Sequence, residues 1–242
     1  MKLLVINSNM NREITDKIRE VSRRLANPGT TVDVICAEWG VPVIEGNYDA
    51  AFAALATVDL VRRHEKNYDA FVIACYCDPG LYAARELTNK PVYGIAQASM
   101  LAACSFGHRF SILSPLNRFK PVIESLVRYY GLEALCASVR TVDMDVKQSF
   151  DDLKAANTAF AREARRALEE DGAEVICLGG ASFSGRDHAI GEEAGGVVCI
   201  DGLSVAIKQA EAYHCLGYTS SKVGLFEAPR VKTRVLPDGR EV

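Results

Sequence analysis

Asp69-Ala70-Phe71-Val72-Ile73-Ala74-Cys75 and Glu174-Val175-Ile176-Cys177-Leu178-Gly179-Gly180 can be laid over one another without a gap. Each copy is an acidic residue, a short apolar run and then a loop. Short apolar runs bounded by turn residues read as buried strands of a parallel sheet. About twenty residues later each copy is followed by a second short run that closes on glycine, PVYGIAQA at 91–98 and VVCIDGLS at 197–204. A repeat of this kind predicts two similar α/β units with both strand-end loops at one cleft, because ligands of open parallel sheets bind beyond the carboxyl ends of the strands. In this register Cys75 of the first copy stands where the second copy has Gly180.

Outward from the repeat, strands and helical periods alternate, which is the pattern of parallel α/β architecture. Predicted strands are Leu3–Ile6, Thr31–Cys36, Ala70–Cys75 and Pro91–Ile95, then Phe110–Ser114, Ala137–Val142, Val175–Gly179 and Val197–Ile200. Asn11 caps a helix with Ile14, Ile18, Val21 and Leu25 on one face, and Asn27-Pro28-Gly29 is a turn. Longer helices are expected at about Tyr48–Glu65, from near Gln97, and at about Ser149–Glu170, with an irregular tail after Phe226.

The chain has 242 residues, 49% hydrophobic, 24% charged and 8% aromatic, with a net charge of −3. That is enough chain for one large domain or two small ones. No basic surplus or stripe marks a nucleic-acid surface, and no apolar run reaches the roughly 18 residues of a membrane span. The N-terminal MKLLVINSNMN reads as a first strand and not as a signal peptide, so a cytoplasmic protein is expected. Most of the eight cysteines lie in apolar runs, the four histidines (64, 108, 188 and 214) are scattered, and no Cys-x-x-Cys occurs. Neither a disulfide framework nor a structural zinc site is expected.

The densest chemical signal is VIACYCDPGL at 72–81. Cys75 ends a strand, and Asp78-Pro79-Gly80 turns the chain toward a helix with Pro79 near its first position. A thiolate beside a helix N-terminus is favoured by the dipole, and it can abstract a proton or attack an electrophilic carbon. A buried cysteine beside an ordinary turn fits the same residues. The loop GGASFSG at 179–185 would suit an anion near backbone N–H groups but is not a phosphate-binding fingerprint.

Five segments in order carry a resemblance. INSNMN (6–11) resembles an Asn-Pro-Asn-Thr loop, with Ser8 for the proline, and GVPVIEGNYD (40–49) a Gly-Val-Pro-x-Ile-Glu-Gly segment. CYCDPGL (75–81) resembles Cys-Phe-Gly-Asp-Pro-Gly-Leu, FSILSP (110–115) a Phe-Ser-Ile-Val-Thr-Thr strand, and CIDGLSVAIK (199–208) a closing Val-Ile-Asp-Gly strand. The chain resembles the aspartate/glutamate/hydantoin racemase superfamily and, within it, the hydantoin and allantoin racemase branch. The resemblance implies two pseudo-symmetric, flavodoxin-like α/β halves with parallel sheets facing across a cleft, 1–97 plus 208–242 and 98–207. It also implies a homo-oligomer, a small cyclic ureide as substrate, and no metal or organic cofactor.

Racemases of this kind use two cysteines, one on each face of a planarising carbon. Here the second-half motif Leu-Gly-Cys-x-Gly matches Leu178-Gly179-Gly180-Ala181-Ser182, so the second thiol is missing, while Cys77 replaces a glycine of the first loop. Cys177 lies three residues earlier, inside the strand, where packing is its expected role. The candidate catalytic residues are therefore Cys75 and Cys77. Candidate substrate contacts are Asn9, Pro42, Val43, Tyr76, Asp78, Ser114, Gly180, Ala181 and Ser182. Ser182 and Ser184 are the nearest groups for proton return at Gly180. Arg186 and His188 are read first as solvated surface, and Asp201 and Lys222 as structural. The missing thiol keeps three further readings open: a cysteine-dependent hydrolase or desulfhydrase on a hydantoin or thiohydantoin ring, a single-cysteine decarboxylase, and a non-catalytic binding module.

Overall fold

The computed structural model describes residues 1–144, 148–235 and 239, apart from the side chains at 150 and 151. The last part of the tail expected to be irregular, 236–238 and 240–242, lies outside the described residues. The first unit comprises β1 (Lys2–Asn7), α1 (Arg12–Leu25), β2 (Thr31–Cys36), α2 (Asn47–His64), β3 (Ala70–Ile73), α3 (Leu81–Leu87) and β4 (Val92–Gly94). The chain then passes through α4 (Ile95–Ala103) into β5 (Phe110–Ser114), α5 (Lys120–Tyr129), β6 (Cys136–Thr141) and α6 (Gln148–Asp151). It continues with α7 (Leu153–Asp171), β7 (Val175–Leu178), α8 (Asp187–Glu193), β8 (Val198–Asp201) and α9 (Gly202–Cys215). Among the described residues the strands form two four-stranded parallel sheets, ordered β2-β1-β3-β4 and β6-β5-β7-β8. The expected α/β architecture of two matching sheets is what the chain adopts.

The repeat is kept residue for residue. Leu3 pairs with Ala70 and Ile6 with Ile73 in the first sheet; Phe110 pairs with Val175 and Leu113 with Leu178 in the second. The two acidic residues that open the repeat do the same job: Asp69 Oδ2 accepts from Lys2 N at 2.7 Å, and Glu174 Oε2 accepts from His108 N at 2.7 Å. Each pins the chain at the entry of the neighbouring strand. Side chains then alternate with the period of two that a pleated strand imposes. Leu3, Val5, Val72, Phe110, Ile112, Val175 and Cys177 face one shared apolar cluster. Leu4, Ile6, Phe71 and Ile73 face a second cluster with α2 and α3, and Ile176 and Leu178 a third with α7. The shared cluster includes Ile95, Met100, Leu203 and Ile207 of α4 and α9, which pack on one another between the sheets.

Several boundaries differ from expectation. The strand predicted to run to Cys75 ends at Ile73, and that predicted at Pro91–Ile95 spans Val92–Gly94 because Ile95 already begins α4. The helix predicted at about Ser149–Glu170 is broken at Asp152, whose backbone leaves helical geometry and whose carboxylate accepts from Ala155 N at 2.9 Å as a cap. Pro79 is not at a helix start. Asp78 and Gly80 both take left-handed φ values of 43° and 77°, and α3 begins only at Leu81. Five residues separate Cys75 from the first residue of α3, so the thiol does not stand at the helix start itself.

Candidate active site

The ends of β1, β3, β5 and β7 open onto one cavity between the sheets. By the strand register Asn7 is the counterpart of Ser114 and Cys75 that of Gly180, and all four line it. Ala74 N donates to Ile6 O at 2.8 Å and Gly179 N to Leu113 O at 2.7 Å, so both loops leave their sheets from equivalent points. A Cβ at Gly179 would lie 2.7 Å from Leu113 O, which restricts that position to glycine. Gly180 is under no such restriction. Its φ of 179° is ordinary extended backbone, and a Cβ there would meet Phe183 and Ser182 at 3.4 Å, a normal contact.

Of the expected residues, Asn9, Val43, Cys75, Tyr76, Ser114, Gly180, Ala181 and Ser182 line this cavity. Three do not. Pro42 is exposed on its loop, while its neighbours Val43 and Ile44 turn inward. Asp78 is buried elsewhere, accepting from Ala96 N at 3.0 Å, Gln97 N at 2.8 Å and Tyr130 Oη at 2.7 Å. Burial raises its carboxyl to about 6 against these bonds. It clamps the cysteine loop to the start of α4, and a Cβ at Gly94 would collide with its carboxyl group. Cys77 lies behind Cys75 with the two sulfurs 3.6 Å apart. Its hydrogen bond with Cys75, together with burial, holds the Cys77 thiol well above the ordinary range, so it stays neutral at neutral pH.

Around Cys75 the polar groups are mostly anchored. Asn7 Nδ2 reaches Asn9 Oδ1 and Thr15 Oγ1, each at 3.0 Å, and Asn11 N donates to Asn9 Oδ1 at 2.9 Å. The carbonyl of Asn9 is thus spent within its loop and its amide hydrogens are left for the cavity. Asn11, and not Asn9, caps α1. Ser114 is fully buried with Oγ lacking any hydrogen-bond partner, an orphaned donor at the cavity wall. Tyr76 forms a wall whose hydroxyl is 2.9 Å from Ser99 Oγ on α4. Cys177 is fully buried, and burial pushes its thiol up.

The remaining candidates are fixed by other partners. Asp201 caps α9 through Leu203 N at 3.0 Å and also accepts from Gly185 N at 3.0 Å. Lys222 donates to the carbonyls of Arg85 and Glu86 at the end of α3. His188 is exposed, whereas Arg186, expected at the surface, is half-buried and lies 4.7 Å over the Phe183 ring. Sequence reasoning missed Asn7, Ile44, Leu116 and Phe119 in the lining. Asn7 was recoverable as the polar residue closing an apolar strand, but the apolar three carry no local signal. Among the described residues no three His, Cys, Asp or Glu side chains stand close enough together to hold a metal ion, and no helix is long and apolar enough to cross a membrane.

A hydantoin racemase from Rhizobium meliloti is 37% identical to this chain over 233 residues, 96% of each protein. One from Pseudomonas sp. (strain NS671) is 36% identical over 236 residues, 97% of this chain and 94% of that one. The solved allantoin racemase from Klebsiella pneumoniae superposes with a TM-score of 0.93 at 36% identity, covering 99% of this chain and 98% of that one. The Asp/Glu/hydantoin racemase family matches residues 3–210, and the chain belongs to that family.

Proposed function

We propose that this protein is a racemase of small cyclic ureides, hydantoin- or allantoin-like, and that Cys75 is its acid/base. The observation that carries the reading is the placement of Cys75 in one cavity with its repeat counterpart Gly180, in a chain over a third identical to hydantoin racemases. The C–H between the ring nitrogen and carbonyl is acidic, because the carbanion delocalises into that carbonyl. The Cys75 thiolate takes this proton. Asn9 Nδ2 and the orphaned Ser114 Oγ donate to the developing oxyanion, where preorganised donors act most strongly. Inversion requires a proton at the opposite face, walled by Gly180, Ala181 and Ser182, and of these only Ser182 carries a side-chain hydroxyl.

Single enantiomers of a 5-substituted hydantoin in D₂O test this. Optical rotation should decay to zero with one deuterium gained at C5 and no other product. Retention of rotation without exchange would overturn it. A second reading is favoured by the two sulfurs lying 3.6 Å apart on the same loop. In it, the Cys75 thiolate adds to a thiohydantoin C=S carbon and hydrosulfide departs with a proton from Cys77. Water then displaces Cys75, leaving C=O on the ring. Sulfide release matched by the oxygenated product, with rotation of residual substrate unchanged, would establish this route instead.

A further inference from the structure

A second cavity adjoins the ring cavity, and Ala181 and Ser182 line both. Helix α1 runs past the two. Ile14 lines the first, while Lys17, Glu20, Val21 and Arg24 line the second. The spacing of Ile14, Lys17, Val21 and Arg24 puts them on one helical face. At the helical rise Lys17 lies about 4.5 Å and Arg24 about 15 Å beyond Ile14 along the axis.

The charges of this second cavity are poorly compensated. Arg24 is exposed and engages no carboxylate or side-chain acceptor among the described residues. The guanidinium of Arg186, which also lines the cavity, is held by three neutral acceptors: Asn157 Oδ1 at 2.8 Å, Ser149 O at 3.2 Å and Leu153 O at 2.9 Å. No described carboxylate pairs with it, and burial alone pulls it down to about 10. Ser184 Oγ, in the same lining, is buried without a hydrogen-bond partner. Among the described lining residues Glu20 is the one acidic side chain, 3.7 Å from Lys17 Nζ with both ends largely exposed. The half-buried Arg186 and the exposed Arg24, neither paired with a described carboxylate, line this cavity beside an orphaned hydroxyl, a donor set suited to a carboxylate.

We propose that this cavity is an anion subsite continuous with the ring pocket, so that the cyclic ureide carries an acidic arm. The inference rests on the cyclic-ureide reading above. The ring occupies the space between Cys75 and Gly180. A carboxylate on a short carbon chain at C5 passes Ser182 and ends toward Lys17 and Arg24, with Ser184 Oγ as a further donor. The cations bind and orient; they take no part in the proton transfer.

Two hydantoins with C5 arms of equal length test this, one ending in a carboxylate and the other in the isosteric carboxamide. Rates of rotation loss should give a kcat/KM about tenfold or more higher for the acid, the scale of one charge-assisted hydrogen bond. Added KCl should shrink that preference, because the cavity is open to screening. In Arg24→Gln, an exposed helical position that leaves the fold intact, the preference should fall to within about threefold of unity, and calorimetric binding of the two compounds should show the same loss without relying on turnover. Equal kcat/KM for acid and amide in the unaltered protein overturns the subsite and leaves the cyclic-ureide reading standing. So does a preference that survives in the Arg24→Gln/Lys17→Gln double variant. Failure of every hydantoin to bind or react overturns that reading and the subsite with it.

Discussion

The loop after β3 and the loop after β7 begin alike and diverge within one residue. Both leave the sheet after equivalent ladder bonds, from Ala74 to Ile6 and from Gly179 to Leu113. The next residue is Cys75 in one and Gly180 in the other. Two positions on, Cys77 is matched by Ser182; three on, Asp78 is matched by Phe183. The loops are anchored by different means. Asp78 accepts two N–H bonds from the first turn of α4, whereas Phe183 is fully buried and stacks on Phe160 with ring centres 3.9 Å apart. Backbone hydrogen bonding maintains the symmetry of position, while side-chain chemistry is free to differ, and in this chain both thiols of the two loops stand on the first one.

The largest effect that would break the comparison is at its reactive end. Cys75→Ala should lower turnover of a hydantoin about 10²- to 10⁴-fold, the range of a positioned acid/base. Loss of deuterium exchange at C5, read by mass, separates this from a binding defect. Its fold should persist, since Cys75 is half-buried and cysteine there packs as a small apolar group. Full activity in this variant would remove Cys75 from the mechanism.

Restoring symmetry is the next test. Gly180→Cys places a thiol at the counterpart of Cys75, where the backbone is extended and a Cβ meets only ordinary contacts. Racemisation should rise by about tenfold or more, as a second positioned acid serves the opposite face, and both enantiomers should respond equally. The same substitution at Gly179 should instead disrupt folding, because its Cβ would strike Leu113 O. No gain at position 180 would show that proton return is not limited by the missing thiol.

How much of this was legible follows from what acts locally. The repeat beginning at Asp69 and Glu174 gave both sheets, because period-two burial and strand-opening carboxylates act within a few residues of one another. Residues at strand ends were legible for the same reason, including Cys75, Ser114 and Gly180. Asp78 was misplaced in the substrate pocket. Its partners Ala96, Gln97 and Tyr130 are 18, 19 and 52 residues away, and no local pattern shows which way such a carboxylate turns. The same holds for Arg186, whose half-burial depends on acceptors 29 to 37 residues distant.

The anchors of the two loops should also separate by pH. The Asp78 carboxyl is raised to about 6 in the folded chain, against about 3.9 unfolded. The folded state therefore holds a proton that the unfolded state has lost between about pH 4 and 6, and the contribution of Asp78 to stability falls as pH rises through that window, by roughly 2–3 kcal/mol. Asp78→Asn lacks this dependence. Urea unfolding at pH 4.5 and 7 should show the stability difference between unaltered and variant proteins changing by that order. A constant difference would place the ionisation elsewhere. The hydrophobic anchor Phe183 should show no such pH dependence when replaced by leucine.

The smallest effect is expected from Cys77, and it separates the two chemistries. A neutral thiol 3.6 Å from Cys75 makes only a weak S–H hydrogen bond. For proton abstraction that bond modestly steadies the Cys75 thiolate, so Cys77→Ala should change racemisation by less than about threefold. For attack on a thiohydantoin carbon, Cys77 is the donor to the leaving sulfur, and losing a positioned proton donor should cost about 10²-fold or more. Its counterpart Ser182 makes the opposite demand. Ser182→Ala should slow racemisation, which needs a proton at the Gly180 face, and leave sulfide release within about threefold. Measuring rotation decay on a hydantoin and sulfide release on a thiohydantoin in both variants gives a two-by-two result. Slower racemisation in Ser182→Ala alone assigns acid/base exchange across the cavity, and a sulfide defect in Cys77→Ala alone assigns a nucleophilic site confined to the first loop.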